Sequence, residues 1–305
     1  MSIKEHPPQH HSPKEYELHV PVLLDAMLEL IDPKRGENYL DLTAGYGGHA
    51  DAFMGRTENF RESTLVDRDD FAIANLGRFA DKGVSLLHTD FVSAAKALIG
   101  LGKKFDIVVV DLGVSSPQLD QDKRGFSFAK SGPLDMRMDR RQALTAEQVV
   151  NNYSYADLVD LLIRYGEEKR HFAQKIAEEI VKRRPLSTTD ELADLVANLH
   201  RGRRGKTHPA TRTFQAVRIE VNQELAQVEE VLPLLPDLLH QNGRVGVISF
   251  HSLEDRLVKR YLKDQVESGL EGKLKLLSNK VYDGATYDVH NPRSRSAKLR
   301  VAVKK

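Results

Sequence analysis

The feature that most limits the fold is a short apolar run, Tyr39 to Thr43, that empties into Ala44-Gly45-Tyr46-Gly47-Gly48. A strand leading into a glycine turn and then a helix is the opening unit of a doubly wound α/β sheet. Three more strand-like runs follow: Ser63 to Asp67, Val84 to His88 and Phe105 to Leu112. Helix-compatible stretches near residues 48–55, 70–80 and 92–101 lie between them. This alternation predicts a parallel sheet with crossover helices. Ile107 to Val110 are all β-branched, which suits a central strand buried on both faces.

The rhythm then breaks. Residues 119–207 hold helical patterns and no convincing strand. Thr145-x-x-Gln148 and Thr188-x-x-Glu191 fit capping boxes. Leu158, Leu161, Leu162 and Tyr165 form one apolar stripe, and Leu192, Leu195, Val196 and Leu199 another, both read as packing surface. One long helical pattern runs from Phe214 through Val217, Val221, Leu225 and Val228 to Leu232, before Pro233 and Pro236 interrupt it. A fifth strand is expected over Arg244 to Phe250, then a helix from Leu253 to Gln265, then a final strand over Lys298 to Val303. The organisation expected is a polar tail (1–18), a sheet domain (19–118 and 208–305) and a helical insertion (119–207).

Composition adds exclusions. None of the 305 residues is cysteine, which removes disulfides, thiolate metal sites and a cysteine nucleophile. A net charge of +1 announces no nucleic-acid partner, so that claim must rest on local clusters. No apolar run nears the roughly 18 residues of a membrane span, so the expectation is a soluble, cytoplasmic protein without a membrane partner. His6, His10 and His11 sit in a polar start that reads as a tail, and no metal site is expected.

The glycine turn fits a nucleotide cofactor, because small residues admit a ligand to the backbone and the helix start offers free N–H groups. Asp67, twenty residues after Gly47, suits ribose hydroxyls. Gly45-x-Gly47-x-x-Ala50 also matches the relaxed dinucleotide fingerprint, which keeps a nicotinamide enzyme open. Asp41, before the glycines, favours a cationic sulfonium cofactor instead. Asp111 and Gln118 follow the central strand and can reach the ligand from the side opposite Asp67.

From these residues on, the chain resembles the bacterial 16S rRNA cytosine-N4 methyltransferase family, MraW or RsmH. The matching blocks begin with His19-Val-Pro-Val-Leu-Leu24, Asp41-x-Thr-x-Gly-x-Gly-Gly-His49 and Asp111-Leu-Gly-Val-Ser-Ser-Pro-Gln-Leu-Asp120. Arg124-Gly-Phe-Ser-Phe128, Pro133-Leu-Asp-Met-Arg-Met-Asp139 and His208-Pro-Ala-Thr-Arg-Thr-Phe-Gln-Ala216 continue them. Ser249-Phe-His-Ser-Leu-Glu-Asp-Arg256 and Asn291-Pro-Arg-Ser-Arg-Ser-Ala-Lys-Leu-Arg300 complete the order, and residues 1–18 and 266–290 show no match.

The resemblance implies an α/β, class I (Rossmann-like) methyltransferase sheet with an inserted all-helical domain. It implies S-adenosylmethionine as cofactor and 16S rRNA of the small ribosomal subunit as partner. Carried over by position, Gly47, Gly48 and His49 contact the methionine portion, Asp67 the ribose and Phe91 the adenine, with Asp111 and Gln118 completing the pocket. Many amino-methyltransferases place an aromatic in the loop after the fourth strand, where this chain reads Ser115-Ser116-Pro117-Gln118. Phe126, Phe128, Phe250 and His251 are therefore the candidates to hold the base.

Asp111 is the candidate catalytic residue, accepting an amine N–H and aiming the lone pair at the methyl. His251 is read as a capping or packing residue rather than a proton acceptor. Arg201, Arg203, Arg204, Lys206 and Arg212 form one basic cluster. The stretch 291–305, with Arg293, Arg295, Lys298 and Arg300, forms a second with no acid in it, and both suit RNA phosphates. The missing cysteine agrees with attack by an exocyclic amine, since methylation at pyrimidine C5 ordinarily needs a covalent thiolate. A nicotinamide oxidoreductase and a non-catalytic assembly factor are the alternative classes.

Overall fold

The computed structural model describes residues 21–200 and 208–305. Strands β1 (Tyr39–Asp41), β2 (Thr64–Asp67), β3 (Ser85–His88), β4 (Phe105–Asp111) and β5 (Leu239–Ser249) run parallel. Strands β6 (Leu274–Leu276), β7 (Tyr282–Asp283) and β8 (Lys298–Lys304) follow, with β8 antiparallel to β5. The order is β3-β2-β1-β4-β5-β8-β6, and β7 also pairs with β8. The winding direction reverses between β1 and β4, so their carboxyl ends open on the crevice where such sheets bind ligands. This is the class I, Rossmann-like sheet that the sequence reading expects.

Helices α1 (Leu24–Ile31), α2 (Gly48–Thr57) and α3 (Asp70–Ala80) pack on one face of the sheet, and α4 (Phe91–Gly100) on the other. The β-branched run of β4 explains how it serves both. Ile107 and Val109 enter the core under α1 to α3, while Val108 and Val110 enter the core under α4. Alternation over a strand buried on both sides leaves no polar face to expose.

The insertion begins with the short α5 (Ser116–Asp120) and builds a separate helical core from α6 (Ala146–Asn152), α7 (Tyr155–Arg164), α8 (Arg170–Arg183) and α9 (Thr189–Leu199). Leu158, Leu161, Leu162, Leu192, Leu195 and Val196 are all buried in it, as their spacing predicts. Truncating any one of these leucines to alanine costs about 2–5 kcal/mol. Both capping boxes form. In the first, Gln148 N donates to Thr145 Oγ1 at 3.2 Å and Thr145 N to Gln148 Oε1 at 3.1 Å.

Two expected elements differ. The single helix expected to run to Leu232 is two: α10 (Thr211–Asn222) and α11 (Glu224–Val231), separated by Gln223 at φ 51°. Asn222 enforces the break. Its Nδ2 donates to Met136 O (2.7 Å) and Arg218 O (2.9 Å), and its Oδ1 accepts from Met138 N (2.8 Å). Phe214, Val217 and Val221 of α10 belong to the helical core, whereas Val228 and Val231 of α11 pack under the sheet, so the change of packing partner falls at Gln223 rather than at residue 208. Strand β5 begins at Leu239 instead of Arg244. Gly243 lies inside it, where a Cβ would come within 2.9 Å of the Phe105 carbonyl oxygen, so that glycine marks a close strand approach and not a start. After α12 (Leu235–Leu238) and β5, helix α13 (Ser252–Glu267) closes the same face as α4.

Candidate active site

The loop from β1 to α2 turns through two left-handed glycines, Gly45 (φ 53°) and Gly47 (φ 84°). Asp67, at the end of β2, holds this loop: its Oδ2 accepts from Gly45 N at 2.8 Å and its Oδ1 from Asp69 N at 2.8 Å. The glycines also answer to neighbours within the protein. A Cβ on Gly47 would lie 2.5 Å from the Phe79 ring, and one on Gly48 would lie 2.6 Å from Pro21.

Asp41 is buried under the loop. It accepts from the Tyr39 hydroxyl at 2.7 Å and from Thr43 N at 3.1 Å. Burial pushes its carboxyl up to about 6, against those two hydrogen bonds. The sequence reading places Asp41 beside a cation, and the structure already gives it these two donors. Thr43 then bridges to the next strand, its Oγ1 accepting from Asp111 N at 2.6 Å.

Asp111 ends β4. Its Oδ2 stands 3.7 Å from His49 Nδ1, and its Oδ1 is buried with no hydrogen-bond partner. Burial first, then the charges of Asp41 and Glu254, push its carboxyl well above the usual range. His49, in the first turn of α2, is buried and held down at about 4 by desolvation, so its ring is neutral at pH 7. The Val22 carbonyl, 3.1 Å from Nε2, can only accept, so Nε2 carries the hydrogen. Nδ1 is then a lone pair facing Asp111, and a protonated Asp111 is the donor that suits it. The site therefore combines a neutral imidazole, a raised carboxyl and one unpaired acceptor atom at the switch point of the sheet.

The adjoining exit of β5 is the opposite in character. His251 caps α13, with Nδ1 accepting from Glu254 N at 3.4 Å. Glu254 Oε2 accepts from Phe250 N (2.8 Å) and His251 N (3.2 Å), while its Oε1 lies 3.2 Å from His251 Nε2. Arg218 holds Glu224 through two contacts of 2.8 Å. Glu224, His251 and Glu254 bring ligand atoms within 4.8 Å of one another, a grouping the sequence reading does not contain. Arg218 and the helix cap already use these groups, so the cluster reads as a structural lock. The expected capping role of His251 matches this geometry.

The remaining expected residues are dispersed. Gln118 is buried and engaged: its Nε2 donates to Asp69 Oδ2 at 2.7 Å and its Oε1 accepts from Ser115 N at 2.9 Å. Asp69 also forms an ion pair with Arg124 Nη1 at 2.8 Å, while Arg124 Nη2 donates to the carbonyls of Arg137 (3.0 Å) and Met138 (3.1 Å). This buried junction, which ties the insertion to the loop carrying Asp67, escapes sequence reasoning; its only signal is that Arg124 lies in a family block. Phe91 opens α4 after its cap Asp90 and is half-buried against the sheet.

The aromatic candidates are packed. Phe126 lies in the helical core, Phe128 sits 4.7 Å from both His208 and Phe214, and Phe250 lies against Gly113. The basic clusters also change meaning. Arg201, Arg203, Arg204 and Lys206 lie outside the described residues, as do His6, His10 and His11. Arg212 is exposed, 3.8 Å from Glu168. Arg293 pairs with Asp120 at 2.7 Å, and Lys298 and Arg300 both pair with Asp255, at 3.0 and 2.9 Å. Arg295 is exposed. The carboxy-terminal stretch is thus not the uncompensated strip of cations its sequence suggests, because α5 and α13 supply its acids.

Comparison with known proteins accords with this geometry. The chain is 43% identical over 295 residues to "Ribosomal RNA small subunit methyltransferase H" of Gloeothece citriformis, covering 94% of each chain. It is 43% identical over 304 residues to the protein of the same name from Acidobacterium capsulatum, covering 95% of this chain and 100% of that one. Residues 16–305 match the family described as MraW methylase. With that match spanning the glycine loop, Asp111, the insertion and the lock on α13, the chain belongs to the MraW methylase family.

Proposed function

We propose that this protein transfers a methyl group from S-adenosylmethionine to the N4 amine of a decoding-centre cytidine in the 16S rRNA of the small ribosomal subunit. The observation that carries the reading is Asp111 Oδ1, a buried acceptor without a partner at the carboxyl end of the central strand. Buried polar atoms are nearly always hydrogen-bonded, so this one calls for a donor from a ligand. A cytidine amine offers N–H groups, and a sulfonium cofactor offers positive charge beside the same carboxyl group. The name shared by the relatives supports ribosomal RNA as the substrate.

The cofactor, when bound, supplies an electrophilic methyl group on sulfur. Gly47, Gly48 and His49 would flank its amino-acid portion, Asp67 its ribose and Phe91 its adenine. Gln118 acts one step back, by fixing Asp69 next to Asp67. Asp111 accepts one N4–H and turns the nitrogen lone pair toward the methyl. The amine loses its proton after transfer, so no strong base is needed. Neutral His49 lines the Asp111 carboxyl without adding a competing positive charge. Arg212 and the cations at 201, 203, 204 and 206 meet RNA phosphates, which makes binding salt-dependent. A cytoplasmic location follows from the substrate, and among the described residues no helix is long and apolar enough to cross a membrane.

The test is incorporation of tritiated methyl from labelled cofactor into small subunits that lack the modification, run beside naked 16S rRNA. The expected product is N4-methylated cytidine at one position. No incorporation into any ribosomal RNA, or label found at C5, would overturn the reading.

A further inference from the structure

The insertion carries a concavity of its own. Glu168, Lys169, Phe172, His200 and Arg212 line a cavity of about 280 Å³ where the starts of α8 and α10 meet the end of α9. Two of its groups stand out: a buried carboxylate with no cation in hydrogen-bond contact, and a buried ring nitrogen with no partner. The Glu168 side chain is only 6% exposed, and its cation, Arg212, stays 3.8 Å away, beyond hydrogen-bond reach. His200 Nε2 is buried with no hydrogen-bond partner. Buried acceptors and donors of this kind are ordinarily paired, with protein, water or ligand. Phe172 adds an aromatic wall, its ring centroid 4.1 Å from that of His200.

The cavity also adjoins the carboxyl edge of the sheet. Arg212 Nη1 donates to the Glu167 carbonyl at 3.5 Å. The Glu167 carboxylate in turn accepts from the Ser252 hydroxyl and from Arg256 Nη2. Ser252 follows the cap His251, at the exit of β5 beside Asp111. The cavity therefore lies on the side of the insertion that meets the exit of β5, the strand paired with β4.

We infer that this cavity binds an unpaired guanine nucleotide of the RNA substrate, separate from the reacting cytidine. The inference rests on the RNA reading above. Its size is close to the roughly 300 Å³ at which small-ligand sites begin, which suits a single nucleoside. A carboxylate is acceptor-only, and guanine alone among the four bases presents two adjacent N–H donors, N1–H and the N2 amine, to one carboxylate. Adenine and cytosine offer a single amine beside an acceptor, and uracil an N–H between two carbonyls. Phe172 supplies the stacking surface that RNA sites use, and Arg212 and Lys169 the cations for the phosphate.

Equilibrium dialysis of the full-length protein with radiolabelled guanosine 5′-monophosphate, inosine 5′-monophosphate, adenosine 5′-monophosphate and uridine 5′-monophosphate tests this. The expected order places guanosine first, with inosine weaker for want of the N2 amine and the others weaker by about tenfold or more. Glu168→Gln turns a donor toward guanine and should lose the preference, while binding of S-adenosylhomocysteine stays unchanged. Should that variant unfold, His200→Gln and Arg212→Gln weaken guanosine monophosphate in its place. Equal binding of all four nucleotides, or a preference that survives Glu168→Gln, overturns the inference. Normal methylation with no guanosine preference refutes the cavity alone. Guanosine preference without methylation of any ribosomal RNA upholds the cavity and refutes the proposed function.

Discussion

Two neighbouring sites at one edge of the sheet bury the same chemistry and treat it in opposite ways. At the ends of β1 and β4, burial acts on the protonation of the groups themselves: it pushes the Asp41 and Asp111 carboxyls up and holds the His49 imidazole down. At the exit of β5, the Glu224 and Glu254 carboxylates are answered by partners, with Arg218 and backbone N–H groups filling the acceptors, while His251 Nε2 lies 3.2 Å from Glu254 Oε1 without a hydrogen bond. Burial pushes Glu254 up, and His251 and Arg218 outweigh it, holding the carboxyl below its usual range. A buried carboxylate whose acceptors are filled is a fastening. One left with an open valence is a place for a ligand. The difference separates structural from chemical roles where residue type alone does not.

The largest effect expected is on the fastened side. Arg218→Met leaves Glu224 buried without its cation and should cost about 3–5 kcal/mol, read by urea unfolding. A loss below 1 kcal/mol would mean the lock is not holding charge. On the open side, Asp111→Asn should leave the fold intact and lower turnover at saturating cofactor about 100-fold. Full turnover in that variant would remove Asp111 from the chemistry.

Stability against pH sharpens the contrast at smaller amplitude. Folded Asp41 keeps its proton up to about 6, against a reference value of 3.8, so its contribution to stability falls as pH rises through that window. His49 titrates near 4 when folded and at 6.5 when free, so its contribution rises between those values. The parent-minus-variant stability for His49→Gln should therefore climb with pH by up to about 1.4 kcal/mol per unit. For Asp41→Asn the same difference should descend. Flat difference curves would show that neither group is held neutral. The smallest effect belongs to His251→Asn, which retains a good cap: about 1 kcal/mol or less of stability, with turnover unchanged. A large loss of turnover there would move His251 from the fastening to the chemistry.

Much of this was legible in sequence because it is local. Strand β4 is announced by its β-branched run, the loop by its glycines, and the helix starts of α6 and α9 by Thr145 and Thr188 with their partners three residues on. What was not legible depends on residues far apart along the chain. Arg124 meets Asp69, Asn222 meets Met136, and Asp255 meets Lys298 and Arg300 only after the sheet and insertion have closed. The break at Gln223 hides for a related reason: a non-glycine residue takes the left-handed conformation because Asn222 is anchored elsewhere. Phe126 looked available for a base because nothing in its neighbourhood has a period that marks it as core.

The glycine loop has an evolutionary consequence. Phe79 and Pro21 occupy the space beside Gly47 and Gly48, so both positions are under selection for packing, whatever the loop binds. A descendant that lost methyl transfer would still keep both glycines, and a motif scan would go on counting it as an enzyme. Asp111 is under no such double duty through its open oxygen. Drift at that aspartate, with the glycines intact, is the mark by which a retired copy of this fold would be recognised.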